Sequence, residues 1–81
     1  MEIAYVLVKS KIGHEMEVMN DILKIDGVKE VMGTYGVYDI FTKVQVKTRK
    51  EIEDVITKKI RKINKVISTT TLSVIPEQGG K

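Results

Sequence analysis

Residues 28–46, VKEVMGTYGVYDIFTKVQV, decide the fold of this chain. Residues 28–35 and 38–46 are rich in β-branched and aromatic side chains, which predicts two strands. Gly36-Val37 is a connection short enough to pair them as a hairpin, because glycine turns readily with a positive φ. The sequence therefore predicts an antiparallel pair in the middle of the chain.

A helix is predicted before the hairpin, from His14 to Ile25. Asp26-Gly27 is expected to end it, with the glycine in the left-handed cap conformation. The apolar residues of this helix recur at helical spacing and are expected to pack in the core: Met16, Met19, Ile22 and Leu23.

A second helix is predicted after the hairpin. Thr48 and Glu51 match a capping box, in which the threonine hydroxyl accepts the Glu51 amide and the glutamate reaches back. Acidic residues early in this helix and basic residues late in it complement the helix dipole. One stripe of the helix is apolar: Ile52, Val55, Ile56, Ile60 and Ile63.

The remaining strands are expected at the two ends of the chain. Residues 2–8, EIAYVLV, are apolar at both parities, and residues 66–75, VISTTTLSVI, form the last strand before Pro76. Residues 1–76 are expected to be one domain, followed by a flexible tail at 77–81. The order βαββαβ predicts a ferredoxin-like α+β sandwich, in which a four-stranded antiparallel sheet carries both helices on one face.

The other face of this sheet is expected to be apolar as well. The first strand is apolar on both sides, and Phe41 lies on the opposite side of its strand from Ile40 and Val44. An exposed apolar sheet face implies a cover, and a second copy of the chain can supply one. We therefore expect a face-to-face dimer with α/β-barrel-like pairing.

Composition narrows the possible functions. The chain has 81 residues and no cysteine, which excludes disulfides and thiolate chemistry. Its single histidine excludes a metal site with several histidine ligands. The net charge of +3 is only weak support for nucleic-acid binding. The start of the chain lacks the pattern of a signal peptide, and no stretch is long enough to span a bilayer. A cytoplasmic protein is expected.

An enzyme is not predicted, and no catalytic residue, metal site or cofactor is expected. Asp39 has no histidine near it in sequence, and no nucleophile elbow or phosphate-binding glycine loop is present. An RNA-binding module is the alternative for this fold, with Tyr5, Phe41 and Lys43 as the residues that would contact bases and phosphates. The glycine-aromatic motif of such modules is absent.

The central loop favours a small ligand that carries both charges. Backbone amides around Gly36 suit a carboxylate, Asp39 can pair with an ammonium, and Thr69, Thr70 and Thr71 supply hydroxyl groups. An α-amino acid combines these features. Turn chemistry alone also explains a glycine and an aspartate at a hairpin, so both interpretations stay open.

Residues 2–76 resemble the effector-binding regulatory (RAM) domain of the Lrp/AsnC family of transcription regulators. The likeness is carried by four segments: AYVLVK, DGVKEV, GTYGVYDIFTKVQV and VISTTTLSVI. The resemblance implies dimers joined into rings, often octamers, with an amino-acid effector between dimers. By this likeness the ligand-binding residues are Thr34, Tyr35, Gly36, Tyr38, Asp39, Thr69, Thr70 and Thr71.

Two departures from the family qualify the expectation. Val37 stands where the motif often has an acid, which weakens recognition of a basic side chain. The chain also begins at the first strand rather than at a helix-turn-helix. We therefore expect a stand-alone domain without direct DNA binding, which assembles with itself or with full-length regulators.

Overall fold

The computed structural model describes residues 1–75. Pro76 and the tail predicted at 77–81 lie outside the described residues. The elements in chain order are β1 (Glu2–Ser10), α1 (Glu15–Leu23), β2 (Val28–Gly33), β3 (Ile40–Val46), α2 (Arg49–Asp54), a π-helical segment (Val55–Ile60) and β4 (Val66–Ser73). The predicted βαββαβ order is confirmed.

The four strands form one antiparallel sheet in the order β2-β3-β1-β4. The two central strands pair Val6 with Thr42 and Leu7 with Phe41. On the other edge of β1, Val6 lies opposite Thr71. Because side chains alternate along a strand, these pairs fix which residues share a face.

Both helices cover the same face of the sheet. The buried residues of β1 and β3 all have even numbers, and the buried residues of α1, α2 and the π segment complete one cluster with them. This face is called the covered face below, and the opposite face is called the open face. The core consists of Ala4, Val6, Val8, Val18, Ile22, Ile40, Val44, Ile52, Val55, Ile56 and Ile60.

The apolar stripe predicted for α1 was partly wrong. Ile22 is buried and Met19 packs against the core, but Met16 is 70% exposed and Leu23 is 55% exposed. The buried partner of Ile22 is Val18, one turn earlier. Met16 lies two residues from Val18, a rotation of about 200° around the helix, so it cannot share that face.

Gly27 has a role that differs from the predicted helix cap. The residue after α1 is Lys24, which has a right-handed conformation, and Gly27 follows three residues later with a φ of 96°. A β-carbon at Gly27 would lie 2.7 Å from the Val46 side chain. The glycine therefore permits both a left-handed turn and a close approach to β3.

The N-terminus of α2 is the predicted one, but within residues 1–75 only one of the two hydrogen bonds of the capping box forms, because the Glu51 side chain does not accept a hydrogen bond from the Thr48 amide. The Thr48 hydroxyl accepts a hydrogen bond from the Glu51 amide at 3.1 Å. The helix then widens into the π segment, where the Arg61 amide donates to the Ile56 carbonyl at 2.9 Å. The apolar pattern did not indicate this widening, because the four buried positions suit either geometry: Ile52, Val55, Ile56 and Ile60.

The connection of the hairpin is longer than the predicted Gly36-Val37 turn. β2 ends at Gly33 and β3 begins at Ile40, which leaves a six-residue loop, 34–39. The loop is closed at its base because the Thr34 amide donates to the Asp39 carbonyl and the Thr34 hydroxyl donates to the Tyr38 carbonyl, each at 2.9 Å.

The open face is apolar, as predicted. Tyr5, Leu7 and Phe41 are only half-buried there, and the rings of Tyr5 and Phe41 stack with centroids 5.3 Å apart. Met32 and Leu72 extend this surface on the outer strands and are exposed. Neither helical stretch within residues 1–75 has the length and apolar content of a membrane span.

Candidate functional site

Loop 34–39 is bound to the end of β1 by three hydrogen bonds. The Asp39 amide donates to the Val8 carbonyl at 3.0 Å, and the Ser10 amide donates to Asp39 Oδ2 at 2.9 Å. Lys9 Nζ donates to the Val37 carbonyl at 3.3 Å. These bonds hold the base of the loop against the central strand and leave its tip projecting.

The tip of the loop presents backbone amides without protein partners. Gly36 has a φ of 119°, in the left-handed region that glycine favours, and a β-carbon there would meet no atom within 4 Å. Within residues 1–75, the amides of four consecutive residues donate to no protein atom: Tyr35, Gly36, Val37 and Tyr38. Successive open amides in a turn form a concave site for anions.

Asp39 has a structural role in addition to any contact with a ligand. Its carboxylate accepts a hydrogen bond from Ser10, which lies 29 residues away in sequence, so it fixes the loop to β1. The bond uses Oδ2. The Asp39 carboxylate would therefore bind the ammonium of a ligand while it still accepts the hydrogen bond from the Ser10 amide.

Tyr38 connects the loop to the far edge of the sheet. Its hydroxyl bonds with the Thr70 hydroxyl on β4, across the intervening strand β1. Thr70 pairs with Leu7 in register and thus lies on the open face. The structure thus brings two of the predicted site residues, Tyr38 and Thr70, together within one chain.

The three threonines of β4 do not share one surface. Thr69 and Thr71 pair with Val8 and Val6, whose side chains point to the covered face. Thr70 faces the other way. Within one chain the predicted group therefore divides: Thr70 belongs with loop 34–39, whereas Thr69 and Thr71 are separated from it by the sheet.

Apolar side chains project from the end of the molecule that carries loop 34–39. Tyr35 is fully exposed and Val37 is 74% exposed. Ile12, in the turn that follows β1, is 95% exposed. A polar loop flanked by exposed apolar groups is typical of a surface that contacts another molecule.

Two surface clefts lie away from this loop, and sequence reasoning missed both. One, of about 280 Å³, lies between β4 and the second helical stretch and includes Arg49, Arg61 and Thr71 in its lining. The other, of about 650 Å³, is lined partly by Gly27, Lys29 and Lys59. The signal available in the sequence was weak: small polar residues at the covered-face positions of β4, where a packed strand would be apolar.

Comparison with known proteins supports the resemblance. The model of the Lrp/AsnC ligand binding domain matches residues 3–77. The crystal structure of FFRP-DM1 is 39% identical, with a TM-score of 0.88 over 93% of this chain and 100% of that chain. No curated protein matches this chain.

Longer proteins contain the same fold. AsnC of E. coli is 25% identical, with a TM-score of 0.87 over 99% of this chain and 54% of that chain. The Neisseria meningitidis transcriptional regulator NMB0573, solved in complex with L-Met, is 12% identical, with a TM-score of 0.82 over 98% of this chain and 53% of that one. This last likeness shows the fold alone. The family match covers nearly all of the sequence, and the chain belongs to the Lrp/AsnC ligand-binding domain family.

Proposed function

We propose that this domain is a cytoplasmic regulatory module that binds an amino acid at loop 34–39, where copies of the chain meet. Binding would control transcription or metabolism by changing how the domain assembles with itself or with full-length relatives. The family match supports a small effector, and NMB0573 is a member of this fold class that binds L-Met.

The observation that carries the proposal is the incomplete state of loop 34–39 within one chain. Its tip offers open amides to a carboxylate, and within residues 1–75 no atom lies within 4 Å of the place that a β-carbon at Gly36 would occupy. Tyr35 and Val37, beside those amides, are exposed. A neighbouring copy that covers these apolar groups would exclude water from the amides and strengthen their hydrogen bonds to a ligand.

The open face supports assembly at a second surface. Tyr5, Leu7 and Phe41 form an apolar centre on the two inner strands. Packing two such faces would bury this surface, at roughly 25 cal/mol for each Å² removed from water. Face-to-face dimers that then contact each other through loop 34–39 would form a closed ring, and an octamer is the size we propose.

The coupling between ligand and assembly has a thermodynamic limit. An effector that binds across a subunit boundary favours the assembly that contains the boundary. The shift equals the difference between its affinities for the two assembly states, so a tenfold difference changes the equilibrium by about 1.4 kcal/mol.

The test is to measure mass by light scattering while each of the twenty standard amino acids is added, with calorimetry for any that changes it. Val37→Glu places a charge at the loop tip and is expected to abolish the response. Met16→Glu is the control, since Met16 is exposed to a similar degree on α1, outside loop 34–39 (70% against 74%). The proposal would be refuted if the Val37→Glu variant still changed its mass when the amino acid is added. It would also be refuted if no amino acid changed the mass of the wild-type protein.

RNA binding is the second candidate, because Tyr5 and Phe41 do lie on the open face of the central strands. Two features weigh against it. The rings stack on each other, and Lys43 lies 3.9 Å from the Glu30 carboxylate. Micromolar, sequence-dependent binding of single-stranded RNA at low salt would favour this candidate over the sensor.

A further inference from the structure

The smaller of the two clefts exists because the second helical stretch does not cover the whole sheet. The buried residues of that stretch join the core with those of β1 and β3. Thr71 and Ser73, on the edge strand β4, point to the same side but stay exposed. A cleft of about 280 Å³ therefore remains between them and the helical stretch.

The charges in this cleft balance. Its lining includes two arginines and two glutamates, which are Arg49, Arg61, Glu2 and Glu53. Within residues 1–75, the ion pairs are His14–Glu17, Lys43–Glu30 and Lys58–Asp54, and none of them involves these four residues. The cleft thus holds two cations and two anions that are not paired with each other.

The remaining lining is partly apolar and partly hydroxylic. Ile52 and Ile56 supply apolar surface, and Thr57, Thr71 and Ser73 supply hydroxyl groups. The lining is thus more polar than that of the usual small-molecule pocket, and its volume lies just below the roughly 300 Å³ at which the usual range begins. Both properties suit a small, charged ligand.

The π segment shapes the side of the cleft opposite β4. Ile56 and Thr57 belong to it, and Arg61 follows directly and closes its last turn through the bond to the Ile56 carbonyl. Single π turns are rare and occur often at functional sites. The irregular helix therefore places a guanidinium and a hydroxyl group at the cleft.

We propose that this cleft binds a small zwitterion of the α-amino-acid class within a single chain. A guanidinium would bind the carboxylate with two parallel hydrogen bonds, a glutamate would bind the ammonium, and the hydroxyl groups would orient the ligand. A simple anion or cation would satisfy only half of the charges. This site needs no partner copy and is independent of loop 34–39.

The experiment follows the backbone amide resonances of the full chain while L-alanine, propionate or ethylamine is added, and then the other standard amino acids. Propionate lacks the ammonium of alanine, and ethylamine lacks the carboxylate. We expect alanine to shift the resonances of Thr57, Arg61, Thr71 and Ser73. It should bind at least about tenfold more tightly than either single-charge probe, since each probe lacks one of the two charge-assisted contacts.

Matched variants locate the site. Arg61→Gln is expected to weaken binding about tenfold or more, whereas Lys62→Gln removes one charge from the adjacent exposed residue outside the cleft and leaves binding unchanged. Thr71→Val should weaken binding severalfold. Ser68→Ala, on the opposite face of the same strand and outside the cleft, should not affect it.

The possible outcomes separate this proposal from the loop site. If only the resonances of residues 34–39 shift, the cleft proposal is overturned and the loop proposal stands. If only the resonances of the cleft residues shift, the loop proposal is overturned and the cleft proposal stands. Equal binding by the Arg61→Gln and Lys62→Gln variants, or by alanine and propionate, would overturn the cleft proposal. The absence of any shift at millimolar amino acid would overturn both.

Discussion

The covered and open faces of one sheet differ in whether a single chain completes them. On the covered face, Val6, Ile40 and Val44 are fully buried beneath the helices. On the open face, Leu7 and Phe41 come from the same two strands, next to those residues in sequence, and remain half-exposed. Both faces are apolar, but only one is enclosed.

The difference separates the apolar surface that stabilises a single folded chain from the apolar surface that is left free to contact another molecule. Apolar area that is already buried contributes to the folding of one chain, whereas apolar area that is still exposed contributes only when a partner arrives. For a chain of 81 residues the stabilisation that a partner could add matters, since small domains bury only a modest fraction of their surface when they fold alone.

The largest effect is expected from Ile40→Ala, which leaves a cavity on the covered face. The free energy of unfolding should fall by about 2–5 kcal/mol at every protein concentration. Phe41→Ala, at the neighbouring position on the open face, should cost less in dilute protein and more in concentrated protein, because the lost contacts belong to an assembly. Urea unfolding at two concentrations measures both values. If the two variants behaved alike, the comparison between the faces would fail.

A charge on the open face should act on assembly rather than on folding. Leu7→Asp is expected to reduce the particle to a 9.2 kDa monomer in light scattering, because burying an unpaired carboxylate between two sheets is costly. Met16→Asp makes the same kind of replacement at an exposed helical position and should leave the mass unchanged. Circular dichroism checks that both variants fold. A Leu7→Asp protein with the wild-type mass would show that the open face is not an interface.

The assignment of the two faces could be predicted from the sequence because strand alternation is a local rule. Ile40 and Phe41 were placed on opposite sides correctly. Met16 was not, because a nine-residue helix has one narrow buried stripe and its start decides which residues belong to it. The π segment had no signal, since its backbone bonds respond to packing rather than to the identity of the residues.

The candidate site was predictable in its parts but not in its arrangement. Gly36 has the expected positive φ, since few other residues tolerate that conformation. The bond from Ser10 to Asp39 joins residues 29 apart, and no local pattern reveals it. The separation of Thr70 from Thr69 and Thr71 follows from alternation along β4 and was overlooked in grouping the three by composition.

A smaller effect on the free energy of unfolding is expected at the covered face, where one buried residue is polar. Thr42 is fully buried between Ile40 and Val44 on that face, and within the described part of the chain its hydroxyl has no hydrogen-bond partner. Thr42→Val should raise the free energy of unfolding by about 1 kcal/mol, since it removes a buried polar group at nearly constant volume. Thr42→Ser, which keeps the hydroxyl and loses the methyl group, should lower it. Destabilisation by valine would mean that the hydroxyl has a partner.

The smallest effect concerns the link between two hydroxyl groups across the open face, those of Tyr38 and Thr70. Tyr38→Phe should lower the free energy of unfolding by about 0.5–1 kcal/mol, because a half-buried neutral hydrogen bond contributes little. Tyr35→Phe, at the fully exposed tip of the same loop, should change nothing.

A double-mutant cycle with Thr70→Val isolates the link. If the two hydroxyls act together, the double variant should lose no more than either single variant. Additive losses would show that Tyr38 and Thr70 act separately. The loop would then be held to the sheet by its hydrogen bonds to β1 alone.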